Sequence, residues 1–172
     1  MTASRPAKHT AFWGALLLIV ATDAGTKYLA HTRIAEGDTI PLLGNAVRLT
    51  LLYNPGAAFG VQLGGYSRWI FTVLASGILI WLFAMYREAR LGDWGRAHAL
   101  GLVSGGALGN IVNRLWSERG VVDWIDVGVG SHRWPAFNVA DIGVSVGACV
   151  LAVVLWRADS VRGAGTQGGQ AT

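Results

Sequence analysis

A single cysteine in 172 residues excludes an intrachain disulfide framework and a multi-cysteine zinc site. Charge is scarce too: Asp, Glu, Lys and Arg make up 14% of the chain, against roughly 25% in soluble domains. With 52% apolar residues and a mean hydropathy of +0.42, that deficit argues against a soluble enzyme and against disorder. Only four prolines are present and the 24 glycines follow no G-x-y period, which excludes collagen. No repeat with a period of roughly 20 to 50 residues occurs, which excludes solenoids and propellers. The net charge of +4 comes from 14 basic residues scattered between apolar runs, so nucleic acid is not an expected partner. A membrane protein is the class that remains, and in it each of the ten acidic residues needs a reason.

Four apolar runs have the roughly 17 to 25 residues that a helix needs to cross a bilayer core. They cover residues 11 to about 30, 69–86, 97 to about 113, and 139–156. The third is rich in small residues (Gly101, Ser104, Gly105, Gly106, Gly109), which suits close helix packing where lipid removes the hydrophobic drive. The first run continues through Asp23 and Lys27 without a convincing A-x-A site, so it reads as a span and not as a cleaved signal peptide. Lys and Arg in the short flanks (Arg5, Lys8, Arg87, Arg90, Arg96, Arg157, Arg162) place both termini on the cytoplasmic side. The two long connections then lie outside. The first, residues 31–68, holds the strand-like stretch 47–53 and the turn signal Asn54-Pro55-Gly56. The second, residues 115–137, carries Trp116, Trp124, Trp134 and Phe137 and is expected to lie on the bilayer. The expected architecture is an α-helical integral membrane protein with four transmembrane helices and a small extracytoplasmic β-sheet between helices 1 and 2. Residues 1–162 form one domain, and residues 163–172 form a flexible tail of small and polar residues.

Few residues are candidates for chemistry. Asp23 and Lys27 stand one helical turn apart, and their plainest role is an intrahelical ion pair that steadies the outer loop. Asn138 and Asp141 match an N-cap with an acidic N3 residue, a variant of the capping box. Asp123 is different: in Val121-Val122-Asp123-Trp124-Ile125-Asp126 it lies in a loop flanked by apolar residues, which a solvated acid does not need. Two carboxylates brought together at a membrane surface would keep one protonated while the other ionises, an acid and base pair suited to amide hydrolysis. Spacing leaves three arrangements open: Asp123 with Asp141, Asp126 with Asp141, or a purely structural set. Other nucleophiles are weak. Cys149 falls deep in the fourth run and reads as a small core residue. Ser104 and Ser145 have no evident base, and the four histidines lack metal-ligand spacing, so neither metal nor cofactor is expected. Gly105-Gly106-Ala107-Leu108-Gly109 lacks the Gly-Lys-Ser/Thr ending of a phosphate loop. Among the remaining acids, Glu88, Asp93 and Asp159 fall in cytoplasmic flanks and Glu36, Asp38 and Glu118 in outer connections. The alternative to an enzyme is a small four-helix transporter or channel component using intramembrane carboxylates. A structural assembly partner, which needs no paired carboxylates, is a third.

Five segments taken together resemble the lipoprotein signal peptidase (signal peptidase II) family of bacterial membrane aspartic peptidases. They are Asp23-Ala24-Gly25-Thr26-Lys27, Asn54-Pro55-Gly56-Ala57-Ala58-Phe59-Gly60, Gly105-Gly106-Ala107-Leu108-Gly109-Asn110, Val121-Val122-Asp123-Trp124-Ile125-Asp126 and Phe137-Asn138-Val139-Ala140-Asp141. They occur in the family's order, over about residues 11 to 157. The resemblance implies four transmembrane helices in the bacterial inner membrane, an extracytoplasmic sheet that cradles substrate, and catalytic aspartates at Asp123 and Asp141. The implied substrate is a prolipoprotein whose cysteine bears diacylglycerol, cut on the amino side of that cysteine. Asn54, Gly56, Asn110, Arg114 and Asn138 match positions that line or support the family's site, as do Asp23 and Lys27. Membrane lipids are the other implied partners, and a monomer is expected. One position departs from the pattern: the family's Gly-Asn-x-x-Asp-Arg reads Gly109-Asn110-Ile111-Val112-Asn113-Arg114, so Asn113 removes a negative charge beside Arg114. Of the two aspartates, Asp141 at a helix N-terminus is expected to ionise more easily, and Asp123 to hold the proton.

Overall fold

The computed structural model describes residues 5–56 and 64–167. Four long helices account for most of it: α1 (Arg5–Arg33), α2 (Ser67–Glu88), α3 (Trp94–Trp116) and α4 (Val139–Gln167). Strands β1 (Thr39–Leu43) and β2 (Val47–Asn54) follow α1, while β3 (Val121–Val129) and β4 (His132–Arg133) join α3 to α4.

α3 is the central helix, and its small residues explain why. A methyl group added at Gly101 would run into the Phe12 carbonyl of α1, and one at Gly105 would sit 2.8 Å from the Leu16 carbonyl. On the side facing α4, a methyl at Gly106 would strike the Ala140 carbonyl. The stripe thus lets two backbones approach α3 at once, the use of small residues expected of helices packing in lipid. At the end away from the strands, Phe12, Leu16, Leu82, Tyr86, Leu100 and Val103 form a buried cluster, with the Phe12 and Tyr86 rings stacked at 3.8 Å. Lys8, counted among the flanking charges, is buried beside that cluster. Its ammonium donates to the Ala89 and Arg87 carbonyls, the unpaired groups at the end of α2.

The sheet differs from expectation. Its four strands run in the order β1-β2-β3-β4, all antiparallel, so the second connection supplies half of it and the sheet is not confined to the segment between α1 and α2. Asp123 is therefore a strand residue, opposite Leu52, and not a loop residue. Alternation along β3 turns Val122 and Trp124 toward a second apolar cluster with Ala30, Ile34 and Leu51, and turns Asp123 the other way. Trp124 thus packs beneath the sheet, while Trp116 and Trp134 are exposed. Two further expectations change. Cys149 is exposed on α4 and is not a core residue. α4 runs on to Gln167, so helix covers residues 163–167 of the segment expected to be a flexible tail; residues 168–172, like Ala57-Ala58-Phe59-Gly60 of the second motif, lie outside the described residues.

Among the described residues, two segments are long and apolar enough to cross a membrane: Gly64–Glu88, with mean hydropathy 2.0, and Val139–Ala158, with 2.2. Only 17% of either window is buried inside the protein, so the apolar side chains face outward, as lipid requires. α1 and α3 fall short of that test because they carry Asp23, Lys27, Asn110 and Arg114, which turn toward the interior of the bundle.

Candidate active site

Asp123 and Asp141 reach one place from two directions. β3 delivers Asp123, and the N-terminus of α4 delivers Asp141. There the Asp141 N–H donates to Asn138 Oδ1 at 3.1 Å while the Asn138 N–H donates to Asp141 Oδ2 at 3.2 Å, the reciprocal capping box that the spacing suggested. Asn138, fully buried, does more than cap: its Nδ2 donates to Asp123 Oδ1 at 2.7 Å. Asn110 of α3 donates through Nδ2 to Asp141 Oδ1 at 2.8 Å. The two carboxylates are therefore joined by two asparagine amides, one on each, which approach each other at 3.4 Å.

The next layer fixes those amides. Lys27 donates to Asn110 Oδ1 at 2.8 Å and to Asp23 Oδ2 at 2.7 Å, so the ion pair expected within α1 also decides which way the Asn110 amide faces. Asp23 Oδ1 accepts the Ala140 N–H at 2.9 Å, one of the unpaired donors in the first turn of α4. On the other side, Asn54 donates to Asp123 Oδ2 at 3.2 Å while its Oδ1 accepts the Gly56 N–H at 3.0 Å. Gly56 has φ +107°, and a side chain there would meet Phe71 and the Ser67 backbone of α2. That turn orients Asn54. Arg114 is half-buried, its charge directed at both Asp141 and Asp123.

Burial pushes the Asp123 carboxyl up to about 6, the Asp141 charge adds to the effect, and the hydrogen bonds from Asn138 and Asn54 and the Lys27 charge hold it from going higher. Asp126 behaves oppositely. Burial opposes its ionisation, but hydrogen bonds from Arg48 and Arg133 outweigh that and hold it below the ordinary carboxylate range. Arg133 Nε lies 2.9 Å from Asp126 Oδ1 and Arg48 engages Oδ2, so Asp126 is committed to a clasp between strands and not to Asp141. The sequence offered no local signal for this clasp, which depends on the β2–β3 ladder placing Arg48 directly opposite Asp126.

Asn113 has a use that sequence reasoning missed. Its Oδ1 accepts the Val122 N–H at 2.8 Å and so holds β3 to the end of α3. A cavity of about 490 Å³ between α1 and α3 touches Asp23, Lys27 and Asn113 from behind, but not the two central aspartates.

A family model described as "Signal peptidase (SPase) II" matches residues 15–157. The chain belongs to the signal peptidase II family. It is 39% identical over 150 residues to a lipoprotein signal peptidase from Hydrogenovibrio crunogenus, covering 84% of this chain and 83% of that one. It is 42% identical over 142 residues to a lipoprotein signal peptidase from Rhodococcus jostii, covering 80% and 68%. A solved bacterial membrane enzyme, determined in meso at 2.3 Å, superposes with a TM-score of 0.75 at 29% identity, covering 85% of this chain and 87% of that chain. This signal peptidase II is thus a multi-pass inner-membrane aspartic endopeptidase that removes the signal peptides of lipoproteins.

Proposed function

We propose that Asp123 and Asp141 are the catalytic pair of this peptidase. The observation that carries the assignment is the asparagine bridge: the side-chain amides of Asn138 and Asn110 hold one carboxylate each and meet between them. Asp141 works as the ionised base and takes a proton from water, whose oxygen bonds to the scissile carbonyl carbon. Asp123 gives its proton to the carbonyl oxygen as that oxygen gains charge. In the collapse of the resulting diol the C–N bond breaks and the amine leaves with a proton returned through the pair. Arg114 offsets negative charge at the site, and Asn54, Gly56, Asp23 and Lys27 position the groups that touch the aspartates.

The substrate is a diacylglyceryl-modified prolipoprotein, cut on the amino side of the lipidated cysteine. Its two acyl chains confine it to the bilayer, so positioning rather than a deep soluble pocket supplies much of the advantage. All four helices span the membrane, with both termini cytoplasmic and the sheet and aspartates toward the extracytoplasmic face; the enzyme acts as a monomer. A transporter with carboxylates near the bilayer centre fits poorly, because Asp123 is on a strand and Asp141 in the first turn of a helix.

The test is cleavage of a diacylglyceryl-modified precursor by the purified protein in detergent. Asp123→Asn and Asp141→Asn are each expected to lower the rate by about 10²- to 10⁴-fold, the range for loss of a general acid or base. Either variant at the wild-type rate overturns the pair.

A further inference from the structure

Tyr53 precedes Asn54, whose side chain reaches Asp123, and it stands where β2 can least rely on its own ladder. Leu49 pairs with Ile125 and Leu52 with Asp123, so β2 carries one residue more than the facing stretch of β3. Such a bulge interrupts the ladder and re-aims the side chains beyond it. Just past Tyr53 the strand ends at Asn54, because Pro55 has no N–H with which to continue the pairing. The short piece Leu52-Tyr53-Asn54 therefore needs support from outside the sheet. Its residues alternate: Tyr53 packs against the apolar cluster beneath the sheet, and Asn54 turns the other way, toward Asp123.

Three segments supply that support. From the last turn of α1, His31 Nδ1 shares a hydrogen bond of 2.7 Å with the Tyr53 hydroxyl. From the turn between α3 and β3, the Arg119 guanidinium lies 3.8 Å from the centre of the Tyr53 ring. Glu36, in the connection after α1, pairs with Arg119. That pair is exposed and adds little stability alone, but it keeps Arg119 over the ring. The next residue, Gly120, has φ +105°, and a side chain there would strike the Asn54 carbonyl and Pro55, so the turn is pressed against the backbone that carries Asn54. We propose that Tyr53, clamped between His31 and Arg119, is a positioning residue that sets the Asn54 side chain against Asp123, a role that rests on Asp123 being the proton donor of the pair. Asp141, Lys27 and Arg114 face Asp123 with their charges, from α4, α1 and α3; His31, Glu36 and Arg119 act on it through Tyr53 and Asn54. The Asn54 hydrogen bond favours the ionised form of Asp123, so a loosened clamp leaves Asp123 protonated to higher pH.

The test is the pH dependence of kcat/KM on a lipidated precursor, with the full-length protein in detergent. Wild-type activity is expected to fall as Asp123 ionises, through about pH 6. Tyr53→Ala is expected to move that fall to higher pH by about half a unit to one unit, the scale for a weakened hydrogen bond to a charged group. Tyr53→Phe, which loses the hydroxyl and keeps the ring under Arg119, is expected to move it part of the way, and covers the case in which Tyr53→Ala folds poorly. In an Asn54→Leu background neither variant is expected to move the fall further, because the group they act through is gone. A fall that stays in place in either variant overturns the clamp, since a loss of stability alone lowers activity at every pH without moving it. Shifts that add in full to that of Asn54→Leu overturn it too. Asp123→Asn separates the clamp from the assignment beneath it: cleavage at the wild-type rate there overturns both, whereas an inactive Asp123→Asn with an unmoved fall in the Tyr53 variants overturns the clamp and leaves the catalytic pair standing.

Discussion

Asp123 holds its proton to a higher pH in the folded chain than an ordinary carboxyl does, because folding buries it beside Asp141. The sign of the consequence for stability follows from linkage. A group whose folded value lies above the unfolded 3.8 makes the fold less stable as pH rises from about 4 through about 6, and the loss is complete above that. Asp123→Asn is therefore expected to be more stable than wild type at about pH 8, by up to about 3 kcal/mol and with a higher melting temperature, with the difference gone below about pH 4. Thermal melts in detergent at the two pH values check this; a variant less stable than wild type at the higher pH contradicts it. Asn113 gives a second prediction. Its contact with β3 uses Oδ1 as acceptor, and a carboxylate accepts there equally well. Asn113→Asp is expected to keep the fold and to change the cleavage rate only a few-fold, whereas Asn113→Leu leaves the Val122 N–H unanswered and costs about 1–3 kcal/mol in a thermal melt. The Asn138 and Asp141 cap was legible in the sequence because capping is a local pattern. The bridge through Asn110 was not, since it joins residues on two helices whose approach depends on packing.

The helices could be read from apolar length and the sheet only in part. Residues 47–53 showed a strand pattern, but the partner strand β3 comes from a connection far along the chain, and no local signal specifies such pairing. Cys149 was misjudged for a related reason: hydropathy locates a span but does not say which of its faces meets lipid. The small-residue stripe of α3, in contrast, was legible because only close approach of backbones rewards so many glycines in one span. Gly106→Leu is expected to push α4 away from α3, since even a methyl strikes the Ala140 carbonyl. A destabilisation of about 1–3 kcal/mol, the usual range for overpacking, is expected in detergent melts, and an unchanged melting temperature contradicts this packing.

At the scale of the whole molecule, scarce charge pointed to the proposed site because a carboxylate in a membrane protein persists only where partners hold it. Asp23, Asp123, Asp126 and Asp141 each have such partners, and among the described residues Asp123 and Asp141 have Asn138 in common. The proposed orientation puts exposed Glu118 outside and exposed Arg90 inside. In a Cys149→Ser background, Glu118→Cys is expected to react with a membrane-impermeant maleimide on intact cells and Arg90→Cys only after lysis; the reverse pattern inverts the topology. The proposed catalytic pair is tested most directly by the pH dependence of kcat/KM on a lipidated precursor. With Asp123 as the proton donor, activity falls as pH rises through about 6, a limb that belongs to the coupled pair. Asn54→Leu removes a hydrogen bond that favours the ionised form of Asp123, so the limb is predicted to move to higher pH. A limb that stays in place or moves to lower pH in that variant contradicts the assignment.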